Sequence, residues 1–157
     1  MPDDFFPNTL DWRQTLAIGD ILLFKFPIFD PEDRSEARPR PCLVSDLTIS
    51  YGVQFVELVP GLDGLPEAPD GTEVAVDWTS LIHAAQGGHT NLHFPMRKAA
   101  RFDVEHPGFE TDPDGGSPLI GRLTGAALLQ LDLLRAQREA SRARHLAQKR
   151  ARKGRRR

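Results

Sequence analysis

Cysteine is almost missing from this chain. One of its 157 residues is a cysteine, Cys42, which excludes an internal disulfide and leaves a thiolate metal site without ligands. Set in the apolar run Cys42-Leu43-Val44, it reads as a small core residue. Long apolar runs are missing too, and none approaches the roughly 20 residues that a membrane-crossing helix needs. The opening Met1-Pro2-Asp3-Asp4 lacks the basic start and apolar stretch of a signal peptide, so the expected compartment is the cytoplasm, with no membrane partner. No glycine-rich segment ends in Lys-Ser/Thr, and no serine sits in a G-x-S-x-G turn. His89 and His93 stand four apart in "HTNLH", yet Thr90 holds the place of the glutamate that a zinc-protease helix requires. "DPDGGS", 112 to 117, has Gly116 and Leu123 where a calcium loop needs acids. No metal and no cofactor is therefore expected.

Charge is plentiful but unevenly placed. The net charge of −2 hides a split: from Arg135 to Arg157 there are 11 Lys or Arg and one acid, Glu139. The body is thus acidic and the tail basic, a pattern that meets nucleic acid, an anionic membrane or the chain's own body. Residues 1–17 read as an N-terminal arm. Beyond it, alternation and turn residues predict strands over 18–27, 41–49, 53–59 and 72–77, with "SYG" as a tight turn and 60–71 as a loop. A short helix is predicted over 78–86, one interrupted strand or two short ones over 91–106, and a last strand over 119–123. Thr124 caps a helix whose stripe Leu128, Leu131, Leu134 fades after Arg135. The expected fold is mainly β with a C-terminal α-helix: a small, curled antiparallel barrel over 18–136, followed by a basic helix or tail over 137–157.

Between the first two strands lies a charged loop, 28–39, and then "ARPRPCLVSD". Pro39 and Pro41 hold their own φ and push Arg38 and Arg40 toward extended backbone. Arg40 stands last before a buried strand, which anchors its Cα. Its guanidinium offers five donors in a planar fork that suits a phosphate. The plain alternative is ion pairing with Glu32, Asp33 or Glu36 in the same loop.

"GDILLFKFPIFDPEDRSEARPRPCLVSD" resembles the opening of the MazF/PemK-like toxin family, in which a Gly-Asp strand start leads through a variable loop to an Arg-Pro pair and a buried second strand. "PLIGRLT" with its amphipathic helix is similar to that family's closing strand and helix, and "LHFPMRKAARFDVEHPGF" to the segment before it. The resemblance implies an SH3-like barrel, a homodimer, a small antitoxin partner, and metal-independent cleavage of single-stranded RNA. It makes Arg40 the catalytic arginine, and His93 is a candidate for a borrowed acid or base, with a simple strand residue as the plain alternative. Arg38, Lys25, Arg97, Arg101 and Phe29 become candidates for holding RNA. Phe26 and Phe94 are candidate stacking residues, but the core is the better reading of each. The family carries a Thr or Ser at the end of its third strand, and Val59-Pro60-Gly61 has no hydroxyl. The alternative reading is a module that keeps the barrel and binds nucleic acid or protein without cleaving.

Overall fold

The computed structural model describes residues 11–27, 39–64, 71–77, 91–110 and 116–156. Arg38, Phe29, the 28–38 part of the loop, His89 and the helix expected over 78–86 lie outside the described residues. Within them the chain forms a short helix α1 (Trp12–Thr15), strands β1 (Asp20–Phe24), β2 (Arg40–Ser50), β3 (Val53–Pro60), β4 (Leu62–Asp63), β5 (Glu73–Asp77), β6 (Asn91–Pro95), β7 (Ala100–Asp103) and β8 (Leu119–Arg122), and the long helix α2 (Gly125–Arg155). The expected composition, antiparallel strands closed by a C-terminal helix, is what forms.

The strands make two sheets, ordered β7-β3-β2-β1-β8 and β4-β6-β5. They are one strand system with a fold in it. β3 runs into β4 across Gly61, and β6 runs into β7 across a single 3-10 turn at Met96–Lys98. β3 pairs with β7 and β4 with β6, both antiparallel, so one ladder continues across the bend. The expected interruption between 91 and 106 falls after Pro95, which cannot donate to the ladder. Among the described residues no ladder joins β5 to β8.

The bend needs Gly61. A Cβ there would stand 2.8 Å from the Pro41 carbonyl oxygen and 3.0 Å from the Phe94 ring, while the Gly61 amide donates to that same oxygen at 2.8 Å. At the other end of the pair, Tyr51 and Gly52 both have positive φ, 51° and 75°, the type I′ geometry that suits a two-residue hairpin.

Alternation assigns the two faces. Ile21, Leu43 and Val59 of the larger sheet cluster with Val74, Val76, Leu92 and Phe94 of the smaller one and with Leu131 and Leu134 of α2. The bend therefore folds the sheet over this inner core, and α2 covers its open side. Leu22, Phe24, Cys42, Val44, Val56 and Leu58 point the other way, into an outer core with Phe26, Val104 and Phe109. Phe24 meets Phe109 and Phe102 there, at centroid distances of 4.6 Å each. Cys42 belongs to this outer core. Burial pushes its thiol up to about 12, against the opposing charge of Arg40, so it stays protonated and inert at neutral pH.

The Gly19-Asp20 start has a structural purpose. Asp20 is fully buried. Its carboxylate accepts from the Ala17 amide at 2.9 Å and from Arg122 Nε at 2.7 Å, so it ties the lead-in to the closing strand. Replacing Asp20 with Ala leaves the Ala17 amide unpaired and frees Arg122. An urea titration of Asp20→Ala is expected to show a loss of about 2–3 kcal/mol, the worth of hydrogen bonds to a buried charge.

Candidate active site

Two of the sequence candidates, Arg40 and His93, stand on the two different sheets. Phe24 pairs with Arg40, Cys42 with Pro60, and the Gly61 amide bonds to Pro41. The β2–β3 ladder ends there, and β4 belongs to the smaller sheet, where Leu62 pairs with His93 and His93 with Ala75. Arg40 has the parity of Cys42 in the outer core, and His93 has the parity opposite to Leu92 and Phe94 in the inner core. Each therefore stands on the side of its own sheet turned away from the inner core.

Each is held differently. Arg40 opens β2 between Pro39 and Pro41. Its Nε is buried and has no hydrogen-bond partner among the described residues. An orphaned donor on a charged group is costly and calls for an explanation. His93 is 9% exposed, and its Nδ1 lies 2.8 Å from the Gly64 carbonyl oxygen. A carbonyl only accepts, so Nδ1 carries the hydrogen, and in the neutral ring Nε2 keeps the lone pair. That is the tautomer a general base needs.

Among the described residues the strand partner of Arg40 is Phe24, which carries no hydroxyl. The family's hydroxyl would fall at Val59-Pro60-Gly61, where Pro60 pairs with Cys42 and the Gly61 amide donates to Pro41.

The other candidates lie apart. Lys25 follows β1 and pairs with Glu110 at 3.8 Å. Arg97 sits on the 3-10 turn and donates to Glu73 at 3.3 Å. Arg101 is on β7 opposite Glu57, stacked over the Phe55 ring at 4.1 Å. Phe26 and Phe94 are buried at 6% and 0%, so both are core residues and neither offers a face for a base. No family model matches the chain, and no curated protein matches it.

A second charged constellation lies under α2, and the sequence did not announce it. A bulge at Ser45 shifts the register of β2 against β3 and lets Asp46 oppose Glu57. Arg138 clamps Glu57 with both ends of its fork: Nη1 to Oε1, and Nη2 to Oε2 at 2.9 Å. The Ser45 hydroxyl donates to the same carboxylate at 2.8 Å, and Arg135 reaches Asp46 at 3.6 Å. Asp46, Thr48, Glu57, Arg101 and Arg142 line a cleft of about 150 Å³. Burial pushes the Glu57 carboxyl up, but the hydrogen bonds from Arg138 and Ser45 and the charges of Arg138 and Arg142 outweigh it and leave its pKa below the usual 4.5.

A lowered carboxyl pKa contributes stability that is complete above its unfolded value and is lost as pH falls through the folded one. The clamp between α2 and the sheet is therefore expected to hold at neutral pH and to weaken progressively below 4.5. Denaturation midpoints measured from pH 7 downward check this. Glu57→Gln is expected to flatten that part of the profile and to lower stability at pH 7 by about 1–2 kcal/mol.

Proposed function

We propose that the chain is a MazF/PemK-like toxin built on an SH3-like barrel, which cleaves single-stranded RNA and is held in check by a small antitoxin protein. What supports the reading is Arg40 at the mouth of a buried strand, its Nε buried and unpartnered among the described residues, together with a His93 whose Nδ1 is held by the Gly64 carbonyl at 2.8 Å. The fold of the strand system at Gly61 and its closure by α2 support the barrel.

The chemistry follows from those two groups. His93 Nε2 takes the proton of a ribose 2′-hydroxyl, and that oxygen attacks the adjacent phosphorus. The bond from phosphorus to the 5′-oxygen breaks, leaving a 2′,3′-cyclic phosphate, and the departing 5′-oxygen takes a proton from water to become a 5′-hydroxyl. Negative charge grows on the phosphoryl oxygens along the way, and the fixed guanidinium of Arg40 stabilises it more than it stabilises the ground state. Unstacked single strands suit such a site because an in-line attack needs a ribose free to turn. Purified protein in EDTA is expected to cut a long unstructured RNA into discrete fragments.

The lack of a hydroxyl in Val59-Pro60-Gly61 favours a second reading, in which the sheet keeps its shape and binds RNA without cutting it. Intact RNA with retained, salt-sensitive binding would select it.

A further inference from the structure

Helix α2 carries one basic stripe in two halves. Helical spacing puts Arg135, Arg138 and Arg142 on a single face. This half lies over the sheet, where Asp46 and Glu57 receive it. The same face continues as His145, Lys149, Arg152, Lys153 and Arg156, spaced three or four apart. This half has left the body: every residue from Glu139 to Arg156 is exposed. Between Ala140 and Arg156 there are eight Lys or Arg and no acid. Among the described residues no carboxylate pairs with any of the cations from Arg144 onward. The helix nonetheless runs to Arg155, helped by Arg152, Lys153 and Arg155 in its last turn, where cations suit the dipole.

We propose that this projecting half of α2 is a docking arm for double-stranded DNA, lying in the major groove and held by phosphates. The first half of the stripe shows its preference for oxyanions, and the second half offers the same chemistry with no partner from the body. Arg144, Arg150 and Arg155 spread charge over the remaining sides of the helix, which fits a partner that flanks it on both sides. From Glu139 to Arg155 the arm is about 25 Å long at 1.5 Å per residue and some 10–12 Å across with side chains. A B-form major groove about 12 Å wide admits such a rod, whereas the deep, narrow groove of A-form RNA does not. The arm leaves the body beyond Asp46, six residues along β2 from Arg40 and so about 20 Å away. It is therefore a separate site, and it stands whether or not Arg40 cuts RNA.

The test is fluorescence anisotropy of the full chain with a labelled 20-base-pair DNA duplex, the RNA duplex and single-stranded RNA of the same sequence, over a range of salt. DNA duplex is expected to bind at least about 10-fold tighter than RNA duplex, with a log–log salt slope of roughly −4 to −6 for five to seven phosphates. Changing Lys149, Arg152, Lys153 and Arg156 together to Gln should shrink that slope by about 4. Swapping Lys for Arg and Arg for Lys at those positions should preserve binding. Ala147→Pro, which keeps every charge and breaks the helix, should weaken DNA duplex binding and erase the preference over RNA duplex. The proposal fails if the Gln variant binds DNA as the unaltered chain does, if RNA duplex binds tighter than DNA duplex, or if Ala147→Pro changes nothing. It fails equally if the arm drives only self-association in sedimentation or only binding to anionic phospholipid vesicles.

Discussion

Arg40→Ala is expected to lower RNA cleavage by roughly 100- to 1,000-fold, the usual worth of one preorganised charge donor, while the fold holds. The second half of that expectation separates a functional arginine from a structural one. Arg40 Nε is buried without a partner among the described residues, so removing it leaves no orphan behind among them. Arg40→Met, which keeps the stem and drops the charge, should therefore match or exceed the unaltered chain in urea while losing cleavage. Arg40→Lys keeps the charge but not the planar fork, and its rate should fall as well. His93→Gln should cost roughly 100- to 10,000-fold by removing the base. A variant series in which activity and stability fall together would mean that Arg40 holds the fold and does not act on substrate.

Phe94→Ala has the largest expected effect on stability. Phe94 is fully buried. It packs in the inner core with Val59, Val74 and Leu131 and lies directly beneath Gly61. Truncating it removes a ring from a region bounded by both sheets and α2, which cannot collapse without moving the bend. The expected loss is about 3–5 kcal/mol, a large part of a typical domain's 5–15. Urea denaturation followed by far-UV circular dichroism measures it. A loss under about 1 kcal/mol, together with weakened RNA binding, would make Phe94 a stacking residue after all.

Much of the frame is visible in the chain itself, for a local reason. Alternation marks β5, and short apolar runs bounded by turn residues mark β1, β2 and β3, whose two faces both turn into a core. Pro95 marks the break between β6 and β7 because its ring has no amide to give. Leu131 and Leu134 mark the packed part of α2. What stayed hidden depends on partners far along the chain. "PGLDG" reads as the start of a loop, so the short strand beyond Gly61 and its pairing of Leu62 with His93 could not be seen. The contacts of Asp20 with Arg122 and of Glu57 with Arg138 span 102 and 81 residues. No local pattern announces a pair at that separation. The basic stretch after Arg135 shows the same limit. Its composition reads as a uniform tail, whereas Arg135 and Arg138 are engaged by the sheet and the residues after Arg142 are not. Phe94 was legible as a core residue, and the structure buries it fully.

The central claim is that Arg40 and His93 cleave RNA through the neighbouring ribose 2′-hydroxyl. Its most direct test is end-group analysis by mass spectrometry of an RNA incubated with the full chain in EDTA, beside the same oligonucleotide carrying a single 2′-deoxyribose at the cut position. The account predicts 2′,3′-cyclic phosphate and 5′-hydroxyl ends on the RNA and no cut at the deoxyribose. Intact RNA, or equal cutting of both oligonucleotides, would contradict it.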